Sequence, residues 1–274
     1  MANRIILDMS NEEYHAHPAI SNTGLGKIAK SPAHYRWYKE NGSADSEAFQ
    51  FGSAFHTLLL EPSEFSKRVE LWSGAPRNTK AGKDDYAAAL ASGKLPIKQD
   101  DYAAMLDMCK AINAHVSSRV YLSGKGKVEA SLFWADEETG VECRCRPDWM
   151  RDDGVLVDLK TTKDASPEEY GRSAYNYRYH VQAAFYMMGY KAVTGKDCPA
   201  FAFVAVEKDA PHGVTLWIAD EAMLEAGRRE VRRCLERYAI AQKANRWDCY
   251  PDVPLALSLP AWAINNNQGV NAYV

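Results

Sequence analysis

The chain has 274 residues, 46% apolar and 25% charged, with 33 basic and 36 acidic side chains for a formal net charge of −3. This is the balance of a globular protein long enough to bury one full core, and it excludes a disordered chain. No apolar run is long enough to cross a bilayer and no charged segment followed by an apolar stretch opens the sequence, so no membrane partner is expected and the expected location is cytoplasmic.

In chain order, Ser10-Asn11-Glu12-Glu13 reads as a capped turn, with the Ser10 hydroxyl placed to accept from the Glu13 amide. Ser21-Asn22-Thr23 precedes Leu25, Ile28 and Ala29 at helical spacing, and Ser31-Pro32 starts a second helix carrying Tyr35 and Tyr38. Residues 48–60 form an apolar helix with small residues for close packing, ended by Glu61-Pro62. Residues 77–96 are polar and read as a loop flanking a short helix, and residues 99–117 as an amphipathic helix with Tyr102, Met105, Leu106 and Cys109 on one side.

The pattern then changes to strands. Residues 127–136 alternate, Glu137-Glu138-Thr139-Gly140 turns, residues 141–150 return, and residues 155–162 supply a third strand. Helices follow over residues 167–174 and 177–193, strands over 200–206 and 213–218, and a long helix from Asp220 to about Asn245. The expectation is one α/β domain over residues 1–274: residues 1–120 mainly helical, 121–250 the core, 251–274 a tail. The six cysteines include no CxxC pair, and Cys143-x-Cys145 on a strand is too widely spaced for a disulfide, so reduced thiols are expected.

The informative stretch is Arg146-Pro147-Asp148, followed ten residues later by Asp158-Leu159-Lys160. The polar turn Arg151-Asp152-Asp153-Gly154 between them predicts a hairpin that sets the two acids on adjacent strands. Asp158 and Lys160 then share one strand face while Leu159 points to the other layer. Charges in so apolar a strand are usually paired or metal-bound. Two carboxylates and an amine are the parts needed to hold Mg²⁺ and set water against a phosphodiester; the bland alternative is an exposed Asp–Lys pair.

Four further groups have two readings each. Glu129 is a third carboxylate facing the site or a solvated strand residue, and His56 a ligand or a satisfied core histidine. Gln182 and Tyr186, four apart on one helix face, are positioning groups or an amphipathic edge. Arg144 and Arg146 contact phosphates or only balance the acids, while Lys125 and Lys127 carry less weight as backbone contacts.

The set His56, Glu129, Asp148, Asp158-x-Lys160 and Gln182-x-x-x-Tyr186 resembles the PD-(D/E)xK nuclease superfamily in its RecB-like branch. Tyr14-His15, Ser31-Pro32-Ala33, Phe51-Gly52-Ser53-Ala54-Phe55-His56, Cys143-Arg144-Cys145-Arg146-Pro147-Asp148 and residues 175–186 and 257–263 are similar to the C-terminal nuclease domains of the exodeoxyribonuclease VIII (RecE-type) family. The long N-terminal region of that family is absent, so the chain is expected to be the nuclease unit alone. The resemblance implies a restriction-endonuclease-like core, a mixed central sheet flanked by helices with a helical N-terminal elaboration.

It also implies a 5′→3′ double-stranded DNA exonuclease that releases 5′-mononucleotides. Asp148 and Asp158 would be metal ligands with His56, Glu129 and the backbone carbonyl of Leu159. The metal would be Mg²⁺, with Mn²⁺ substituting. Lys160 would act on the attacking water or the transition state, and Gln182 and Tyr186 would position them. Ser21, Asn22 and Thr23 form either a 5′-phosphate site or an ordinary helix cap. Implied partners are DNA ends, a single-strand annealing recombinase and further copies in a homotetrameric ring, to whose interfaces Trp247, Tyr250 and Trp262 either contribute or are core residues.

Overall fold

The computed structural model describes residues 3–42 and 46–260; Trp262 and the end of the expected tail lie outside the described residues. The elements are β1 (Arg4–Ile6), α1 (Asn11–Ala16), α2 (Asn22–Lys30), α3 (Pro32–Asn41), α4 (Glu47–Leu60), α5 (Pro62–Arg68), β2 (Val69–Trp72), α6 (Lys80–Ala91), β3 (Leu95–Lys98), α7 (Gln99–Ala114) and α8 (Val116–Tyr121). They continue with β4 (Gly126–Val128), β5 (Ser131–Ala135), β6 (Glu142–Cys145), β7 (Trp149–Arg151), β8 (Leu156–Thr162), α9 (Pro167–Asn176), α10 (Tyr179–Thr194), β9 (Phe201–Glu207), β10 (Val214–Ile218) and α11 (Glu221–Ala244).

A five-stranded mixed sheet in the order β10-β9-β8-β7-β4 carries the fold. Its parallel pair, β8 with β9, is buried on both faces, which is why residues 201–206 are apolar without alternation. One face, with Leu156, Phe201 and Phe203, packs under α10 and α11; the other, with Val157, Leu159, Ala202, Val204 and Val206, packs under α4 and α7. Each large apolar side chain so enclosed stabilises the fold by about 1.5–3 kcal/mol.

Helix α10 is seated tightly. A Cβ on Gly189 would stand 2.6 Å from Trp134, and one on Gly227 of α11 would stand 2.0 Å from the His180 carbonyl oxygen. Only a missing side chain permits these approaches.

The hairpin over residues 149–157 forms as expected, with Trp149 opposite Val157 and Met150 opposite Leu156. The strands expected over 127–136 and 141–150 are each broken in two. Their outer halves, β5 and β6, join β1 in a separate three-stranded sheet, and their inner halves, β4 and β7, join the main sheet. The break in one strand is Glu129, at a φ of 47°; in the other it is Arg146-Pro147-Asp148, where Pro147 brings no amide to a ladder.

The N-terminal part also departs from the helical expectation. β1 pairs with β5, and β2 and β3, on either side in sequence of α6, the short helix expected within residues 77–96, form a two-stranded parallel sheet. The helix expected over 99–117 breaks at His115, whose ring caps α8. Ser10 and Glu13 make the expected capping box. All six cysteines are free thiols. Trp247 is an internal contact, stacked on Tyr35 with ring centroids 6.0 Å apart, whereas Tyr250 is exposed.

Candidate active site

The two strand breaks face each other. The Glu129 amide donates to the Asp148 carbonyl at 3.1 Å, so the bend in one strand is tied to the bend in the other. A non-glycine residue at positive φ is strained backbone, and such positions gather at functional sites. Here the bend turns Asp148 off the end of β7 toward β8. Because β7 pairs with β8 only as far as Val157, the Leu159 amide has no strand partner on that side and donates to Asp148 Oδ2 at 2.7 Å.

Alternation along β8 holds as the spacing predicts. Val157 and Leu159 enter the α4/α7 layer, while Asp158 and Lys160 face α10. Asp158 is 3% exposed; its Oδ1 accepts from Gln182 Nε2 at 2.5 Å, and Lys160 Nζ sits 2.6 Å from its Oδ2. Lys160 Nζ also lies 4.7 Å over the ring of Tyr179. His56, near the end of α4, brings Nδ1 to 3.4 Å from Asp148 Oδ1.

The two aspartates are driven apart electrostatically. Burial works against charge on Asp148, but His56, Lys160 and the Leu159 amide outweigh it and hold its carboxyl below the usual range. Burial, with the Asp148 charge added, pushes Asp158 up to about 6 although Lys160 pulls the other way. For both His56 and Lys160 burial disfavours the cation, yet Asp148 raises the first and Asp158 the second. Two acids pushed in opposite directions within one cluster are a pattern that acid–base and metal sites share with buried ion-pair networks.

Among the described residues no three His, Cys, Asp or Glu side chains form a ready metal cage. The donors nonetheless suit a hard dication, which takes a few protein oxygens and keeps water for the rest. Asp158 Oδ2 is a buried oxygen without a directed hydrogen bond, its contact with Lys160 being an ion pair only. Since the amide and carbonyl of one residue leave an extended strand on the same side, the Leu159 carbonyl is directed toward Asp148. Such a set can polarise a phosphoryl oxygen once an ion is held there.

The structure places the remaining candidates unequally. Glu129 is part-buried, 3.6 Å from Arg146 Nη1, and raised by burial and by the Asp148 charge, which puts it at the edge of the cluster. Tyr186 is half-buried, and the charges of Asp158 and Asp148 reach its hydroxyl. Arg144 is a correction to the expected DNA contacts: it is 4% exposed, lies 4.8 Å over the Tyr14 ring, and donates to the carbonyls of His15 and His17. It anchors the segment after α1 and has no face left for a phosphate.

Arg146 is similarly engaged, with Ser131 Oγ at 2.9 Å, Asn11 Oδ1 at 2.6 Å and the Met9 carbonyl at 3.0 Å. Ser21 caps α2, its hydroxyl accepting from the Gly24 amide at 3.3 Å, with Asn22 half-buried and Thr23 exposed beside it. Lys125 is exposed and Lys127 pairs with Asp152 at 3.2 Å. Tyr179 was not among the sequence candidates. It stands three residues before Gln182 and seven before Tyr186, so the helical stripe it completes was the available signal.

Comparison with known proteins agrees with this fold. Over residues 21–252 the chain matches a family described as a PDDEXK-like domain of unknown function. Its fold is similar to the crystal structure of a candidate exonuclease from Eubacterium rectale, with a TM-score of 0.64 at 16% identity, covering 97% of this chain and 100% of that one. An alkaline exonuclease from Laribacter hongkongensis gives a TM-score of 0.31 at 19% identity over 61% of this chain and 86% of that one, too slight a likeness to bear on function. No curated protein matches the chain at a significant level.

Proposed function

The chain belongs to the PDDEXK-like family, and from that membership we propose that it is a divalent-metal-dependent nuclease. In its finer form it is a 5′→3′ double-stranded DNA exonuclease that releases 5′-mononucleotides and leaves 3′ single-stranded tails for recombination by strand annealing. The observation that carries the hydrolytic part is Asp148 and Asp158 converging from adjacent strands, with Lys160 Nζ 2.6 Å from Asp158. The DNA-end, direction and annealing parts rest on the resemblance of the motif residues to the exodeoxyribonuclease VIII family.

Asp148, Asp158 and the Leu159 carbonyl would hold the ion, Mg²⁺ by preference and Mn²⁺ as a substitute, with His56 and Glu129 completing the donor set. When bound, the ion supplies Lewis-acid polarisation of a phosphoryl oxygen and acidifies water. The protein's own groups do the rest. Gln182 fixes one oxygen of Asp158 and leaves the other to the Lys160 ion pair and the ion. His56 and the Leu159 amide hold both oxygens of Asp148 in place. Lys160 has donors to spare beyond its ion pair, enough to orient the attacking water and to offset charge growing on the phosphoryl oxygens. Tyr186 lines the same cluster as a positioning group.

Ser21, Asn22 and Thr23, at the positive end of α2, are proposed to take the 5′-phosphate. A homotetrameric ring around DNA, in which only the channel lining need be basic, reconciles that substrate with the net charge of −3.

The test is digestion of a 5′-phosphorylated linear duplex beside a covalently closed circle, with Mg²⁺, with EDTA, and with Asp158→Ala. Mononucleotides from the linear form alone, lost with chelator and variant, are expected. Cutting of the circle would make the protein an endonuclease, and binding without cutting a DNA-end scaffold.

A further inference from the structure

Two tyrosines project where α9 ends, Tyr175 from its last turn and Tyr177 from the connection to α10. Tyr175 is 75% exposed and Tyr177 70% exposed. Neither ring is isolated. Tyr175 lies parallel to His180, with centroids 5.9 Å apart and planes 8° apart, and Tyr177 lies on Tyr179 at 5.9 Å and 22°. Tyr179 stacks in turn on the buried Phe203 at 5.4 Å, and it is the ring over which Lys160 Nζ sits at 4.7 Å. A column of rings therefore runs from Phe203 in β9, past the site lysine, to the outer face of Tyr177.

The backbone holds this column in register with the acids. Arg178 takes a φ of 61° between the two helices, and its carbonyl accepts from the Val181 and Gln182 amides. Its guanidinium is tied to Glu230 of α11 at 3.0 Å. The Tyr177 amide donates to the Ser173 carbonyl at 2.9 Å, which fixes the turn from its other side. Gln182 is the residue bonded to Asp158, so the position of Tyr177 is coupled through one helical turn to the carboxylate.

From this geometry we infer that Tyr177, backed by Tyr179, is a stacking platform for an unstacked or terminal nucleobase next to the phosphodiester held at Asp148 and Asp158, with Tyr175 as a second face. This rests on the nuclease reading above and deepens it. Every base has a π-face, so the platform is indifferent to sequence. Inside a duplex both faces of a base are covered by its neighbours. The base that can lie on Tyr177 is therefore one at an end or in a single strand, and the ring column gives the site a preference for ends. The alternative occupant of two exposed aromatic faces is a protein partner, and the experiment separates the two.

The full chain is titrated, with Ca²⁺ replacing Mg²⁺ to prevent cleavage, into a 5′-phosphorylated duplex carrying 2-aminopurine at the terminal base, and into one carrying it at the centre. The parent and Tyr177→Trp are expected to quench the terminal 2-aminopurine and not the central one. Tyr177→Leu is expected to lose the quench and to bind about 5- to 150-fold more weakly, the worth of one base–aromatic stack. An unchanged thermal midpoint for Tyr177→Leu keeps a folding defect from imitating the loss, and rescue by tryptophan is a result that a merely structural tyrosine does not give. If the parent binds and cuts DNA but Tyr177→Leu quenches and binds as the parent does, the platform is overturned and the nuclease reading survives. Equal quenching at the centre also overturns it. A parent that neither binds nor cuts DNA overturns both.

Discussion

The amide of Glu129 donates to the carbonyl of Asp148 at 3.1 Å, and that bond joins the two points at which a long hairpin leaves one sheet and enters another. The bend, rather than a regular strand end, delivers both carboxylates to one place. Glu129 thus has two separable roles, a backbone at a φ of 47° and a carboxylate. Glu129→Val is expected to destabilise the fold by about 1–2 kcal/mol, because a β-branched residue resists positive φ. Glu129→Gly is expected to leave stability near the parent's while cleavage falls in both. Urea unfolding beside a cleavage assay checks this, and equal stability of the two variants would refute it.

On the proposed function Asp148, Asp158 and Lys160 act as a unit, so each alanine substitution is expected to remove most of the rate, on the order of a thousandfold or more. Gln182→Ala keeps the unit but frees Asp158 to turn, and about a 10- to 100-fold loss is expected. Rates on one linear duplex, all four variants side by side, provide the comparison. A Gln182 variant as damaged as the lysine variant would contradict the division of roles.

Asp158 is pushed up to about 6 by burial and by the Asp148 charge. A dication binds the carboxylate, so below that pH it must displace a proton. His56, raised by Asp148, must likewise lose its proton to serve as a donor, so metal affinity is expected to fall by about tenfold or more per unit below pH 6, with at least one proton released per ion. Calorimetric titration with Mn²⁺ from pH 5 to 8 reads this directly. Affinity unchanged down to pH 5 would show that Asp158 is not a ligand.

Away from the site, the buried Asp136 receives two bonds from Arg232, at 2.8 and 3.1 Å, and two from Thr139. Burial alone would raise its carboxyl, but these bonds outweigh burial and lower it. A lowered folded pKa means that the stabilisation is full above the ordinary carboxylate range and is lost as pH falls through the folded value. Asp136→Asn is expected to lose about 2–4 kcal/mol at pH 7 and to approach the parent's stability as pH falls below the ordinary carboxylate range, with cleavage unchanged. A constant difference across that range in urea unfolding would contradict this.

The sequence showed the site more clearly than the scaffold. Period-two alternation placed Asp158 and Lys160 on one face, and the polar turn at residues 151–154 set the register that brings Asp148 alongside. The sheet switch was not legible, because β-forming residues continue through both bends and only Pro147 marks one of them. β2 and β3 are four residues each with two buried positions apiece, Val69 and Trp72 in one and Pro96 and Ile97 in the other, too few to show a period in the sequence. Arg144 looked like a phosphate contact because strand alternation pairs it with Arg146; tertiary packing under α1 is what buries it. Tyr179 escaped notice because its neighbour here, Lys160, is nineteen residues away in sequence.

The deciding measurement is acid-soluble nucleotide released from a linear duplex by metal-stripped protein, before and after Mg²⁺ is restored, with Lys160→Ala beside the parent. Release by the parent only when the ion is restored, and almost none by the variant, is the predicted result. Release that ignores the ion, or a Lys160→Ala variant as active as the parent, would contradict the assignment of Asp148, Asp158 and Lys160 as the centre that cuts.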